Sequence, residues 1–265
     1  MYKFGFIGSG NMGSALAKAI SSSKDGKNMI VCDSSTSRAS ELAEALGCKS
    51  GCVESVAGES EYIFIAVKPQ SLPDMFGEIS EILKAREDRF ILVTMAAGTS
   101  IEKITALAGV ECPVIRIMPN VACSVGAGMT LAAKNDKVTD EEYKYFIEAM
   151  KASGKIDKVS EEAIDSFSIV TGCGPAWAYM MIEALADGQV NIGVPRDKAY
   201  LYAAKTLEGA AKLMLDSGRT PADLKDSVCS PGGTTIEGVK ALEKNNFRYG
   251  VIEAVNASYS KTKKM

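Results

Sequence analysis

Phe6-Ile7-Gly8-Ser9-Gly10-Asn11-Met12-Gly13 is the stretch on which the fold turns. The run Lys3 to Gly8 is short, apolar and closed by glycine, and reads as a buried parallel strand. Ser14-Ala15-Leu16-Ala17-Lys18-Ala19-Ile20 follows with an apolar helical pattern. Glycines spaced G-x-G-x-x-G between a strand and a helix form a dinucleotide phosphate turn. In that turn Gly8 makes the tight bend, Gly10 admits the pyrophosphate and Gly13 lets helix and strand pack closely. Ile7, Ser9, Asn11 and Met12 complete the candidate cofactor loop.

Moving outward, Met29-Ile30-Val31-Cys32 reads as a second strand ending at Asp33. Asp33 stands where this fold meets the adenosine ribose, and an acid there favours a free 2′-hydroxyl, hence NAD. Ser34, Ser35 and Arg38 follow, and hydroxyls with an arginine could hold a 2′-phosphate. The sequence leaves NADH and NADPH both open.

The α/β alternation continues. Tyr62 to Val67 is a strand ending in Lys68-Pro69, Phe90 to Met95 one ending in Ala96-Ala97-Gly98, and Pro113 to Met118 one ending in Pro119-Asn120. Ligands of doubly wound sheets bind outside the carboxyl ends of the strands. Val67, Lys68, Pro69, Ala96, Ala97, Met118, Pro119 and Asn120 are therefore expected to line the cofactor cleft. Strand-like pieces at Gly128 to Ala132 and Lys155 to Val159 flank a helix from about Asp140 to Ala152 and should extend the sheet to an edge.

From Glu161 the strand signals stop. Ala163 to Val170 reads as helix, Gly172-Cys173-Gly174-Pro175 as its break, and Pro175 as the first turn of a long apolar helix to Val190. Further helices are expected from Pro195 to Leu215, closed by Gly218, and over Pro221 to Val228, Gly233 to Glu243 and Phe247 to Thr262. Trp177, Tyr179, Met180, Met181 and Ile182 are nearly consecutive. A small bundle cannot bury them all internally, so two copies are expected to pack helix on helix.

The chain has 265 residues, a net charge of −3 and 46% hydrophobic residues, enough for one large or two modest domains. The balanced charge points to neither a nucleic-acid nor a membrane partner. No signal peptide is evident, and no apolar run approaches the roughly 20 residues of a bilayer span. Seven cysteines without CxxC pairs read as reduced thiols of a cytoplasmic protein. Histidine is absent, which removes a Ser-His-Asp triad, an imidazole proton shuttle and the usual catalytic zinc ligands. No metal is expected.

Cys229-Ser230-Pro231-Gly232-Gly233-Thr234-Thr235-Ile236 precedes a helical pattern. Glycines allow close backbone approach, and a helix N-terminus offers unpaired N–H groups, so the stretch reads as a seat for an anion.

Taken together, "FIGSGNMG", "AVKP", "AAG", "MPN", "GCGPAWAY", "EALADG" and "LKDSVCSPGGTTIEGV" resemble the pyrroline-5-carboxylate reductase family, in order and spacing along essentially the whole chain. The glycine turn is common to many enzymes, whereas "SPGGTT" is specific. The resemblance implies an α/β fold: an N-terminal Rossmann-type doubly wound sheet over 1–160 and an all-α dimerisation domain over 161–265. It implies reduction of 1-pyrroline-5-carboxylate to L-proline with NADPH or NADH, in dimers that can assemble into decamers. It places Thr235 near the imine nitrogen, Thr234 beside it, Ser230, Gly232 and Gly233 in the substrate loop, and Glu161 at the domain junction. Some members carry asparagine where this chain has Val53 and Ser227. A hydroxyacid dehydrogenase shares the two-part plan but wants a lysine on the substrate helix, and "GCGPAWAY" has none.

Overall fold

The computed structural model describes residues 1–23 and 26–263. It divides into two compact units, 1–172 and 173–263. The first is built on eight strands: β1 (Tyr2–Ile7), β2 (Met29–Cys32), β3 (Lys49–Ser50), β4 (Ser60–Ile65), β5 (Ile91–Thr94), β6 (Val114–Met118), β7 (Gly128–Lys134) and β8 (Gly154–Lys158). Their spatial order is β3-β2-β1-β4-β5-β6-β7-β8. Strands β1 to β6 are parallel, β7 is antiparallel to β6, and β8 runs parallel to β7 at the edge. The first six follow the Rossmann order, reversing between β1 and β4.

Side chains alternate across this sheet, as the strand period of two demands. Phe4, Phe6, Tyr62, Phe64, Ile91 and Val93 face one core with Leu16 of α1 (Asn11–Ser23), Leu42 of α2 (Thr36–Leu46) and Phe146 of α6 (Asp140–Met150). Phe6 and Phe64 stack with ring centroids 4.4 Å apart. Ile7, Ile63, Ile65 and Leu92 face the other core with α3 (Val53–Glu59), α4 (Leu72–Ala85) and α5 (Ile101–Ala108). Because both faces are covered, β2, the Tyr62–Ile65 part of β4 and the Ile91–Val93 part of β5 are continuous apolar runs and were legible as strands.

α7 (Glu161–Ser168) packs Ile164, fully buried, against Leu131 and Ala133 of β7. Its contacts place this helix in the first compact unit.

The expected break at Gly172–Pro175 is absent. Residues Ile169–Cys173 form a π-helix that runs directly into α8 (Gly174–Asn191). Pro175 has no N–H for an i−4 carbonyl, and the π-turn absorbs that loss without ending the helix. The fused run Glu161–Asn191 is, by length and composition alone, long and apolar enough to cross a membrane, its most apolar 18-residue window having a mean hydropathy of 1.2. This corrects the expectation that no such run exists, which had cut the segment at the glycines.

The second unit is helical: α8, α9 (Arg196–Ser217), α10 (Pro221–Ser227), α11 (Thr234–Lys244) and α12 (Phe247–Thr262). Gly218 caps α9 in the left-handed region at φ 64°. Alanines 186, 199 and 203 knit α8 to α9. Tyr179, Met180, Leu201, Leu213 and Ile252 remain exposed.

Candidate active site

The expected cofactor residues gather at one edge of the sheet because they follow the carboxyl ends of parallel strands. Gly8 closes β1 at φ +105°, and a Cβ there would lie 2.6 Å from the Ala66 carbonyl oxygen. A Cβ on Gly13 would lie 2.2 Å from the Gly8 oxygen. These two glycines are required by backbone packing. Gly10 differs: a Cβ there meets nothing within 4 Å. It faces a groove of about 770 Å³ whose lining includes Ser9, Asn11, Met12, Lys18, Arg38 and Val121. The first α1 hydrogen bond runs from Ser14 N–H to the Gly10 carbonyl at 2.9 Å. The N–H groups ahead of it have no intrahelical partner, the arrangement that binds phosphate. An open Gly10 between two obligatory glycines fits a dinucleotide pyrophosphate.

Asp33 follows β2 and turns inward. Its Oδ2 accepts Ser9 N–H at 2.7 Å, and its Oδ1 accepts Ser35 N–H at 2.9 Å. Arg38 Nη1 stands 3.4 Å from Oδ1 and remains 57% exposed. Ser34 is exposed, and Ser35 caps α2 through its side chain. Val67 and Lys68 follow β4, and Lys68 with Pro69 opens a short 3-10 turn. Ala96 is buried and Ala97 exposed after β5.

Met118 ends β6, and Pro119 and Asn120 follow it. Asn120 is engaged at both ends of its amide: Oδ1 accepts Met129 N–H at 3.3 Å, and Nδ2 donates to the Thr171 carbonyl at 2.9 Å. Thr171 is the residue four before Pro175, so Asn120 takes the carbonyl that proline leaves free.

Glu161 starts α7. Its Oε1 accepts Ile101 N–H at 2.6 Å, at the N-terminus of α5, and lies 3.6 Å from Arg116 Nη1. Arg116 and Asp165 escaped the sequence reading. The signal was there: Arg116 is a lone cation inside the apolar run Val114–Met118. Lys18 was missed too, although it sits four residues after Ser14 and therefore on the same helix face.

In the second unit, Ser230-Pro231-Gly232-Gly233 forms a tight turn. Gly233 N–H donates to the Ser230 carbonyl at 3.0 Å, and Gly232 sits at φ +68°. Proline second and a positive-φ glycine third is the pattern of a type II turn. Gly233 is the N-cap of α11 and supplies no side-chain cap. The first N–H groups of α11 are thus left to a ligand or water. Thr234 and Thr235, in the first turn, are exposed. A Cβ on Gly233 would lie 2.3 Å from Ser230 Oγ, so only glycine leaves that hydroxyl its position.

Two family models match: pyrroline-5-carboxylate reductase dimerisation over residues 161–265, and NADP oxidoreductase, coenzyme F420-dependent, over residues 3–98. The pyrroline-5-carboxylate reductase of Escherichia coli strain K12 is 38% identical, with 99% of this chain and 98% of that protein aligned. The chain belongs to the pyrroline-5-carboxylate reductase family. Its fold agrees throughout. The solved pyrroline-5-carboxylate reductase of Coxiella burnetii superposes with a TM-score of 0.90 at 28% identity, covering 99% of this chain and 98% of that one. The Plasmodium falciparum pyrroline carboxylate reductase, solved with NADP bound, gives 0.86 at 30% identity over 99% and 97%. The dimerisation match covers the second unit, where Tyr179, Met180, Leu201, Leu213 and Ile252 stand exposed.

Proposed function

We propose that the chain reduces 1-pyrroline-5-carboxylate to L-proline, using NADPH or NADH. The observation that carries this reading is the uncapped, glycine-turned start of α11 in a chain matched end to end by reductases of this name. The coenzyme supplies the hydride, which adds to the C5 carbon of the ring C=N bond. The electron pair of that bond moves to nitrogen, which carries or takes one proton. An imine that arrives protonated needs no strong acid, in keeping with a chain that has no histidine.

In this reading the residues divide the work. Gly8, Gly10 and Gly13 with Ser9, Asn11 and Met12 receive the pyrophosphate. Ser230, Gly232 and Gly233 form the seat of the substrate carboxylate, with the Ser230 hydroxyl and the open N–H groups at the start of α11 as its donors. Thr234 contacts the ring, and Thr235 orients its nitrogen. Glu161 fixes the start of α5, and with it the Ala96–Ala97 loop. Orientation supplies most of the rate. The protein works as a homodimer, with decamers as its higher assembly, and in the cytoplasm, in keeping with seven unpaired cysteines. The apolar face of the 161–191 run serves that association, and neither membrane nor nucleic acid is a partner.

Initial rates of pyrroline-5-carboxylate reduction with each coenzyme, beside a panel of hydroxyacids, test the proposal. Coenzyme binding without turnover of the imine would leave a dinucleotide-binding module instead.

A further inference from the structure

Asp33 holds the position from which an acid of this fold reads a ribose, yet its oxygens are already engaged. A carboxylate has about four lone-pair sites. Ser9 N–H takes one at 2.7 Å and Ser35 N–H another at 2.9 Å. Arg38 Nη1 at 3.4 Å and Ser34 Oγ at 3.5 Å crowd Oδ1 further. The side chain is 7% exposed. A ribose diol approaching Oδ1 would compete with Ser35 N–H, Arg38 and Ser34, and at Oδ2 it would share the oxygen with Ser9 N–H.

Ser9 gives this arrangement its purpose. It lies between Gly8 and Gly10, and it is 2% exposed. Its Oγ donates to the Cys32 carbonyl at 3.3 Å, and its own carbonyl accepts from Ser14 Oγ at 2.8 Å. Ser9 N–H loses this partner if Asp33 is truncated, and a poorly satisfied, largely buried N–H is costly. The carboxylate thus ties the phosphate turn to the cap of α2.

We infer that Asp33 is a positioning residue: it braces Ser9 and Ser35, and so the pyrophosphate turn, and it does not choose between NADH and NADPH. That choice falls to the exposed Ser34 and Arg38. The inference rests on the reading of the Gly10 groove as the coenzyme site.

The test measures Kd for NADPH and NADH by calorimetry on the full-length wild type, Asp33→Ala, Asp33→Asn and Arg38→Ala, each with its unfolding midpoint. Asp33→Ala is expected to weaken both coenzymes about tenfold, leaving their ratio within threefold of wild type. Asp33→Asn keeps one acceptor oxygen and should fall between; it carries the test if the alanine variant does not fold. Arg38→Ala should weaken NADPH alone. A tenfold change in the coenzyme ratio in either Asp33 variant overturns the inference, as does unchanged binding of both coenzymes by a folded Asp33→Ala protein. Failure of the wild type to bind either coenzyme would instead remove the groove reading on which the inference stands.

Discussion

Arg116, 3% exposed on β6, donates from Nη2 to Asp165 of α7 at 2.5 Å. Its Nη1 lies 3.6 Å from Glu161, while its Nε is buried with no hydrogen-bond partner. The two acids are not equally hidden, at 29% for Glu161 and 41% for Asp165. The network is therefore asymmetric. Removing the arginine leaves two carboxylates that water can reach, whereas removing the acids strands a buried cation. Arg116→Met should cost about 1 kcal/mol or less, and Glu161→Gln with Asp165→Ala roughly 3 kcal/mol. Urea unfolding of the two proteins checks the order; a larger loss in Arg116→Met would refute it.

Asn120 and Thr171 form the second tie between the sheet and the helical run. Asn120→Asp keeps an oxygen for Met129 N–H but replaces the Nδ2 donor with an acceptor facing the Thr171 carbonyl. Two acceptors face to face repel, so Asn120→Asp should destabilise more than Asn120→Ala, by about 1–2 kcal/mol at neutral pH. Acidification should narrow the gap, because a protonated aspartic acid can donate. Equal unfolding midpoints for the two variants at pH 7 would show that the Nδ2 bond is idle.

The three glycines of the phosphate turn separate by what surrounds them. Gly10→Val projects into open groove, so it should fold with a near-normal melting temperature and bind coenzyme at least a hundredfold more weakly. Gly13→Val drives a side chain into the Gly8 carbonyl and should lose stability first. Calorimetry and thermal melts run on both variants test the split. Undiminished binding by folded Gly10→Val would end the assignment of this groove.

The contrast also shows what a sequence can reveal. β2 and the Tyr62–Ile65 part of β4 were legible because burial on both faces leaves only apolar residues there. The two-residue β3, Lys49–Ser50, is exposed and carries no pattern. The π-helix was illegible because Gly172, Gly174 and Pro175 are breakers locally. The partner that satisfies the freed carbonyl, Asn120, lies 51 residues earlier. The phosphate turn was readable from its own spacing. The clasp of Asp33 on Ser9 was not, since nothing in the order of residues says which way a carboxylate turns.

Glu142 supplies a pH prediction. Arg89 grips it with Nε to Oε1 at 2.8 Å and Nη2 to Oε2 at 3.0 Å, and Thr139 N–H adds a bond at 2.8 Å. The Arg89 bonds foremost, then Thr139, hold its carboxyl down at about 2. A folded-state value below the unfolded one means stability that is present above about pH 4.5 and lost as pH falls toward 2. Wild type should therefore exceed Glu142→Gln in urea midpoint at pH 7, and the two curves should converge near pH 2. A constant gap from pH 7 to pH 2 would show that the carboxylate charge contributes nothing.

The turn before α11 offers the sharpest test of the proposed chemistry. If Ser230, Gly232 and Gly233 seat a carboxylate, each charge-assisted bond there is worth on the order of 1.5–3 kcal/mol. A plain pyrroline ring should then lose roughly a hundredfold or more in kcat/KM, since about 1.4 kcal/mol is tenfold. Gly232→Ala forces a side chain into the left-handed region at φ +68° and should raise KM by disturbing the turn rather than the chemistry. Ser230→Ala removes one donor and should also act mainly on KM. Thr235→Val keeps the shape and removes the hydroxyl, so it should lower kcat more than it weakens proline binding, because the hydroxyl holds the ring nitrogen as its charge changes in the transition state. Steady-state kinetics on pyrroline-5-carboxylate and on pyrroline, with proline affinity measured separately, distinguish these roles. Wild-type behaviour of both Ser230→Ala and Thr235→Val would make the stretch a simple turn and move the substrate elsewhere.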